Sequence, residues 1–239
     1  PLRSVDVLRY IDDNGMLDLR TLNEELIQRD LDKHVEKQLV TSLGDLPRTR
    51  AFFGRETELE NICALLDARS SCLLVPGIAG IGKTALAGKV IEQYTHRRNL
   101  LYHRCQDWEG SRAFLEACAE WLSTIGDDDL SDYVHATAVP QASVAVNLIV
   151  GALEDIPALI VVDDLHKVND EVLFAIIRGL SQRMDDMQEC GLVMFSRSFR
   201  AVVPLKDADG NISALVLPLE GLDQSASRNL LTTMPDIDM

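Results

Sequence analysis

Cys72-Leu73-Leu74-Val75-Pro76-Gly77-Ile78-Ala79-Gly80-Ile81-Gly82-Lys83-Thr84 is the stretch that decides the fold. Its first four residues read as a buried parallel strand. Residues 84–91 continue with helical spacing. Between them, Gly77 to Thr84 fit G-x-x-x-x-G-K-T, the phosphate-binding P-loop. Glycines let the backbone curl until its N–H groups face phosphate oxygens. The helix behind the loop adds unpaired N–H groups and the positive end of its dipole. Nucleotide-binding candidates are therefore Gly77, Ile78, Ala79, Gly80, Ile81, Gly82, Lys83, Thr84 and Ala85. Lys83 is expected on the β- and γ-phosphates, and the Thr84 hydroxyl on Mg²⁺.

About 80 residues later the apolar run Ala158-Leu159-Ile160-Val161-Val162 ends in Asp163-Asp164. Such a run reads as a central strand covered on both faces. A carboxylate at its C-terminal end lies on the ligand side of an open parallel sheet. This is a Walker B pattern. Asp163 is expected to hold Mg²⁺, which keeps several waters. Asp164 is expected to orient or deprotonate the attacking water. Either Asp alone could instead cap the next turn. Two adjacent carboxylates repel each other, and a bound cation would relieve that repulsion.

A third apolar run, Gly191-Leu192-Val193-Met194-Phe195, is followed by Ser196-Arg197. If this strand lies beside the P-loop strand, Arg197 reaches the γ-phosphate and senses its presence. Arg200 competes for the role, and an ordinary surface arginine is the plain alternative. The P-loop strand and the acidic strand are separated in sequence by a further strand over 99–105. That order predicts a divided P-loop arrangement, with the Arg197 strand between the two. The fold class expected is α/β: a five-stranded parallel sheet with helices on both faces.

The chain has 239 residues, 46% of them hydrophobic but only 5% aromatic, so the core falls to Leu, Val, Ile and Ala. This length suits one large α/β domain plus a small one. A net charge of −15 argues against nucleic-acid binding by the whole surface, though not against a local basic patch. Five cysteines without C-x-x-C spacing suggest a reducing cytosol and a cytoplasmic protein. No apolar stretch is long enough to span a bilayer, so no membrane partner is expected. The sequence begins at Pro1 and stops at Met239, which reads as a fragment of a longer protein.

Residues 1–48 read as a separate helical module, with helices over 5–11, 20–27 and 30–38 and a short strand and turn over 39–47. The arrangement resembles a winged helix-turn-helix. The recognition-helix candidate, 30–38, carries charges that nearly cancel, so a helical packing module and a weak DNA contact are both open. Residues 49–239 form the P-loop domain. Its further helices are expected over 57–68, 112–123, 142–153, 171–184 and 224–232, with a last strand over 213–217. The acidic segment 126–141, with Asp127-Asp128-Asp129, is expected to be a mobile loop.

With these residues in hand, the chain resembles the STAND class of P-loop NTPases, related to the NB-ARC and AP-ATPase domains. Phe52-Phe53-Gly54-Arg55-Glu56-Thr57-Glu58 is similar to the class's N-terminal hhGRExE motif. The P-loop, the two-acid strand and the strand ending at Arg197 complete the likeness, which covers about residues 52–233. It implies that Phe53, Gly54 and Arg55 contact the base and ribose. The plain alternative is that Glu56 and Glu58 favour a helix N-terminus. The family usually continues into a helical lid and a winged-helix domain, and these are expected to lie outside the fragment.

The resemblance implies an Mg²⁺-dependent ATP- and ADP-binding switch with slow hydrolysis, signalling through a protein partner or self-assembly by regions outside the fragment. The rival reading is an AAA+ DNA-acting ATPase related to origin initiators. Such proteins share a GRE-like start, but their acidic strand usually ends Asp-Glu and their sensor is usually uncharged. DNA is expected to bind weakly. A small-molecule kinase lacks a marked acceptor pocket here, no L-S-G-G-Q-like signature supports ABC transport, and no N-K-x-D motif marks guanine.

Overall fold

The computed structural model describes residues 39–47, 52–68, 72–184, 187, 189–197, 214–222, 224 and 227–228. The helices expected over 5–11, 20–27 and 30–38 lie outside the described residues, as do Arg200 and most of the helix expected over 224–232. Six strands are described: β1 (Thr41–Ser42), β2 (Cys72–Pro76), β3 (Asn99–Arg104), β4 (Ala158–Asp163), β5 (Cys190–Ser196) and β6 (Leu215–Val216). They form one sheet in the order β1-β3-β4-β5-β2-β6, with every pairing parallel.

The sheet therefore has six strands rather than the five expected. The addition is β1, whose segment had been read as the strand and turn of the N-terminal module. Val40 N–H donates to the Asn99 side-chain oxygen at 2.9 Å, and Leu100 N–H donates to Val40 O at 2.8 Å. Those bonds stitch the segment to the free edge of β3. The divided arrangement is present: β5 lies between the P-loop strand β2 and the acidic strand β4.

Side chains alternate across the strands and serve two cores. Leu73, Val75, Leu100, Leu159, Val161, Val193 and Phe195 pack on one face beneath α1 (Glu56–Asp67) and α2 (Lys83–Tyr94). Leu74, Leu101, Ile160, Val162, Leu192 and Met194 pack on the other, beneath α3 (Ser111–Ile125), α4 (Asp129–Ala136), α5 (Ala142–Ala152) and α6 (Glu171–Met184). Burial on both faces explains the unbroken apolar runs 72–75, 158–162 and 191–195 within β2, β4 and β5.

Helix α4 corrects the expectation of a mobile loop over 126–141. Leu130 and Val134, four residues apart, are both buried and give the segment an apolar stripe. Its acidic residues suit this helix, because Asp129 and Asp132 sit in the first turn, near the positive dipole end. Among the described residues no helix is long and apolar enough to cross a membrane.

Candidate nucleotide site

The parallel sheet brings the C-terminal ends of β2, β3, β4 and β5 to one edge, and the candidate site is assembled there. The P-loop leaves β2 and turns into α2. Gly80 has φ 76° and Gly82, the residue before α2, has φ 101°. Both are left-handed conformations that favour glycine. Lys83 is 6% exposed and folds back to donate from Nζ to Gly77 O at 2.7 Å and Ile78 O at 2.9 Å. These bonds close the loop on itself. Burial pushes the Lys83 pKa below its ordinary value; Asp163 and Asp164 oppose that push, and Arg197 adds to it.

The two acids of β4 are neighbours in the chain but stand in different surroundings. Asp163 is fully buried on the α2 side of the sheet. Its Oδ2 accepts from Thr84 Oγ1 at 2.6 Å and from the Tyr102 hydroxyl at 3.1 Å. Its Oδ1 accepts from Asp164 N–H at 2.7 Å. Burial first, then the charge of Asp163, pushes the Tyr102 pKa up, so the hydroxyl remains a donor.

Asp164 adopts φ 54°, a left-handed conformation that costs a non-glycine residue about 1 kcal/mol or more. Its Oδ2 accepts from Arg104 Nε at 3.0 Å and pairs with Lys167 Nζ at 3.1 Å. Arg104 comes from the end of β3, and Lys167 from the 3₁₀ turn Leu165–Lys167 that follows Asp164. Burial alone would raise the Asp164 pKa, but the bonds from Lys167 and Arg104 outweigh it and hold the carboxyl below the usual carboxylate range.

A cavity of about 320 Å³ lies at this edge. Its lining includes Ala79, Gly80, Gly82, Lys83, Thr84 and Ala85 of the P-loop and α2, with Asp164 and Arg197. Arg197 is exposed and follows directly on β5; Ser196 O accepts from Gly77 N–H at 3.0 Å, which sets that strand end beside the start of the P-loop. Arg104 and Lys167 complete the lining. Neither was singled out from sequence. The available signals were that Arg104 ends a strand at the ligand edge and that Lys167 stands three residues from an acid. His166 was also passed over; both its ring nitrogens are buried with no hydrogen-bond partner.

Phe53, Gly54 and Arg55 do not line this cavity. Gly54 N–H donates to Glu56 at 3.2 Å. Arg55 is 4% exposed and pairs with Glu58; its guanidinium also donates to Ile81 O at 3.1 Å and to Glu220 O. It thus buttresses the back of the P-loop.

The residues fit a magnesium–nucleotide pair. The described residues hold no cluster of three or more His, Cys, Asp or Glu side chains that could form a metal cage. Mg²⁺ in phosphate chemistry needs none, because it takes one or two protein oxygens plus phosphates and water. Thr84 Oγ1 and the Asp163 carboxylate, in mutual contact below the P-loop, are such oxygens.

A family model described as AAA ATPase domain matches residues 51–194. Among solved structures, the Aeropyrum pernix Orc1 protein in complex with DNA is similar at 19% identity and a TM-score of 0.54, over 77% of this chain and 50% of that one. Cdc6p from Pyrobaculum aerophilum is similar at 18% identity and a TM-score of 0.53, over 80% of this chain and 51% of that one. The chain spans about half the length of each. No curated protein matches it.

Proposed function

The chain belongs to the AAA ATPase domain family, and from that premise we propose that it is an Mg²⁺-dependent ATP-binding module that hydrolyses ATP slowly and acts on DNA. The observation that carries the ATPase reading is the meeting of Lys83, Thr84, Asp163 and Asp164 at one sheet edge. The P-loop and the N-terminus of α2 take the phosphates, with Lys83 on the β- and γ-groups. Thr84 and Asp163 would hold the metal, which would neutralise phosphate charge. Asp164 orients the attacking water, and Arg197 reports the third phosphate. The two cations on Asp164 support the slow turnover, because a carboxylate so paired is a weak base.

The DNA-acting reading draws its support from likeness of fold to Orc1, whose solved structure is in complex with DNA. The Asp163-Asp164 pair and Arg197 are compatible with it as well as with a STAND-type signalling switch. With a net charge of −15, contact with DNA must be local.

Calorimetry with Mg-ATP and Mg-ADP tests the core of the proposal. Lys83→Ala should lower both affinities by at least about 100-fold, since it removes the cation that the P-loop offers to the phosphates together with its bonds to the Gly77 and Ile78 carbonyls. Unchanged ADP affinity in that variant would refute the P-loop assignment. Fluorescence anisotropy with duplex DNA tests the second part. Binding that differs between ATP and ADP supports action on DNA, and no binding with either returns the reading to a signalling switch.

A further inference from the structure

A second cavity, of about 530 Å³, opens between α3 and α4, and none of its lining residues lines the nucleotide cavity. Its floor is apolar, with Ala119 and Val134 buried beneath it. Its walls include Ser123 of α3 and Ser131 of α4, and neither side chain is long enough to fill it. The groove is braced at both ends. At one end Gly126, with φ 102°, closes α3, and the N–H groups of Gly126 and Asp127 both donate to Leu122 O at 3.0 Å. At the other, the Arg112 guanidinium donates to Thr137 O at 3.2 Å and to Val134 O at 3.3 Å. That pair of bonds fixes the end of α4 to the first turn of α3. A groove so held is formed before anything enters it.

The charge around it is one-sided. Residues 109–136 carry seven carboxylates and one guanidinium, that of Arg112. Arg112 is already engaged, because its Nε donates to Glu116 at 2.9 Å. Glu120, one turn further along the same wall, is exposed and has no counter-ion among the described residues. Asp128, Asp129 and Asp132 are exposed as well.

We propose that this groove docks a basic amphipathic helix of a partner protein. Glu116 and Glu120 stand at i and i+4, so a Lys or Arg pair with the same spacing on a second helix meets both. An apolar side chain beside that pair descends onto Ala119 and Val134. Charge complementarity selects this occupant. Nucleic acid and anionic lipid carry phosphates that the carboxylates repel. A caged divalent ion needs several convergent oxygens, and no group of three or more His, Cys, Asp or Glu is gathered for one among the described residues. The proposal does not depend on the ATP reading, since the two cavities share no residue.

A labelled Leu/Lys amphipathic peptide of about 18 residues, long enough to form a helix, is titrated with the whole chain and followed by fluorescence anisotropy. Binding should saturate and should weaken as salt is added. Glu120→Lys should lower affinity about tenfold, by replacing an attraction with a repulsion. Glu60→Lys makes the same charge change on the exposed face of α1 and should alter affinity by less than about twofold. Ser123→Phe fills the groove at constant charge and should lower affinity about fivefold. Circular dichroism shows which variants fold, and the exposed Glu120 tests the idea without touching the core. Equal losses in Glu60→Lys and Glu120→Lys would overturn the proposal, because the peptide would then be reading net charge alone. Unaltered affinity in a folded Ser123→Phe variant would place the peptide elsewhere and overturn it too, as would no binding by the unaltered chain. If sedimentation velocity shows the chain associating with itself, and Glu120→Lys abolishes that association, the occupant is a second copy and the proposal falls.

Discussion

Replacing Arg55 separates a structural role from a ligand-binding one. Its guanidinium is buried against Glu58, Ile81 O and Glu220 O, partners that lie 3, 26 and 165 residues away. It ties the start of α1 to the P-loop and to the segment after β6. Three bonds to a charged group are each worth about 1.5–3 kcal/mol before offsets. Two offsets apply. The Glu58 side chain is 23% exposed and regains water when its partner leaves. Arg55 Nε has no partner, and its removal relieves a penalty of about 1–3 kcal/mol. The net loss for Arg55→Ala is about 2–4 kcal/mol.

For a chain of this size that corresponds to a fall in melting temperature of roughly 5–12 °C. Urea denaturation at neutral pH measures it directly, and Arg55→Lys should lose about half as much, since an ammonium cannot reach all three partners. At a temperature where both variants are folded, Mg-ADP affinity should fall by no more than about threefold, because the cavity lining does not include Arg55. An unchanged denaturation midpoint together with a large loss of nucleotide affinity would refute this reasoning. It would return Arg55 to the base and ribose contact that the hhGRExE likeness implies.

Two further outcomes follow from other elements. One Asp170 carboxylate caps two helices, with Oδ1 accepting from Val172 N–H at 2.8 Å and Leu173 N–H at 3.1 Å and Oδ2 from Ser111 N–H at 2.7 Å; Asp170→Ala should cost about 2–3 kcal/mol in a denaturant titration. Burial raises the Asp170 pKa, but the bonds from Ser111, Leu173 and Val172 outweigh it and lower the folded value, so the ionic part of this stability is present above about pH 4 and lost as pH falls through the folded pKa. Asp170→Asn should therefore flatten the acid limb of the stability curve, and an unchanged limb would contradict the assignment. Arg197→Ala should leave stability within about 0.5 kcal/mol, because the side chain is exposed, while ATP affinity falls by up to about tenfold and ADP affinity much less; equal losses for the two nucleotides would remove Arg197 from the sensor role.

What the sequence disclosed and what it hid have physical causes. The runs 72–75, 158–162 and 191–195 were legible as strands because burial on both faces demands unbroken apolar residues. The place of β5 between β2 and β4 followed from a strand intervening in sequence. Strand β1 was legible as a strand but not as part of this sheet. Two residues carry no periodicity, and the bond that seats the segment comes from the Asn99 side chain, far away in sequence. Helix α4 was hidden by its acids: Asp127-Asp128-Asp129 resembles a solvated loop, while the helix depends on Leu130 and Val134 reaching the core. Arg104 and Lys167 carry no motif. Arg104 meets Asp164 only because the β3–β4 register sets Arg104 opposite Asp163.

The acid pair itself shows how a correct reading can rest on the wrong force. From sequence, the repulsion between Asp163 and Asp164 argued for a bound cation. In the folded chain the two carboxylates are already separated in their partners. Asp163 is satisfied by the Thr84 and Tyr102 hydroxyls and by the Asp164 N–H, none of them charged. Asp164 is neutralised by Arg104 and Lys167. The repulsion is thus relieved by the protein's own guanidinium and ammonium groups, and it no longer requires a metal. The case for Mg²⁺ rests instead on Asp163. Its charge is fully buried and held only by neutral donors, a costly arrangement that a divalent ion at Thr84 Oγ1 would stabilise. The two acids therefore differ by environment: one is buried with hydrogen bonds from neutral donors alone, where a metal's charge would be favourable, and the other is held by the protein's own guanidinium and ammonium groups.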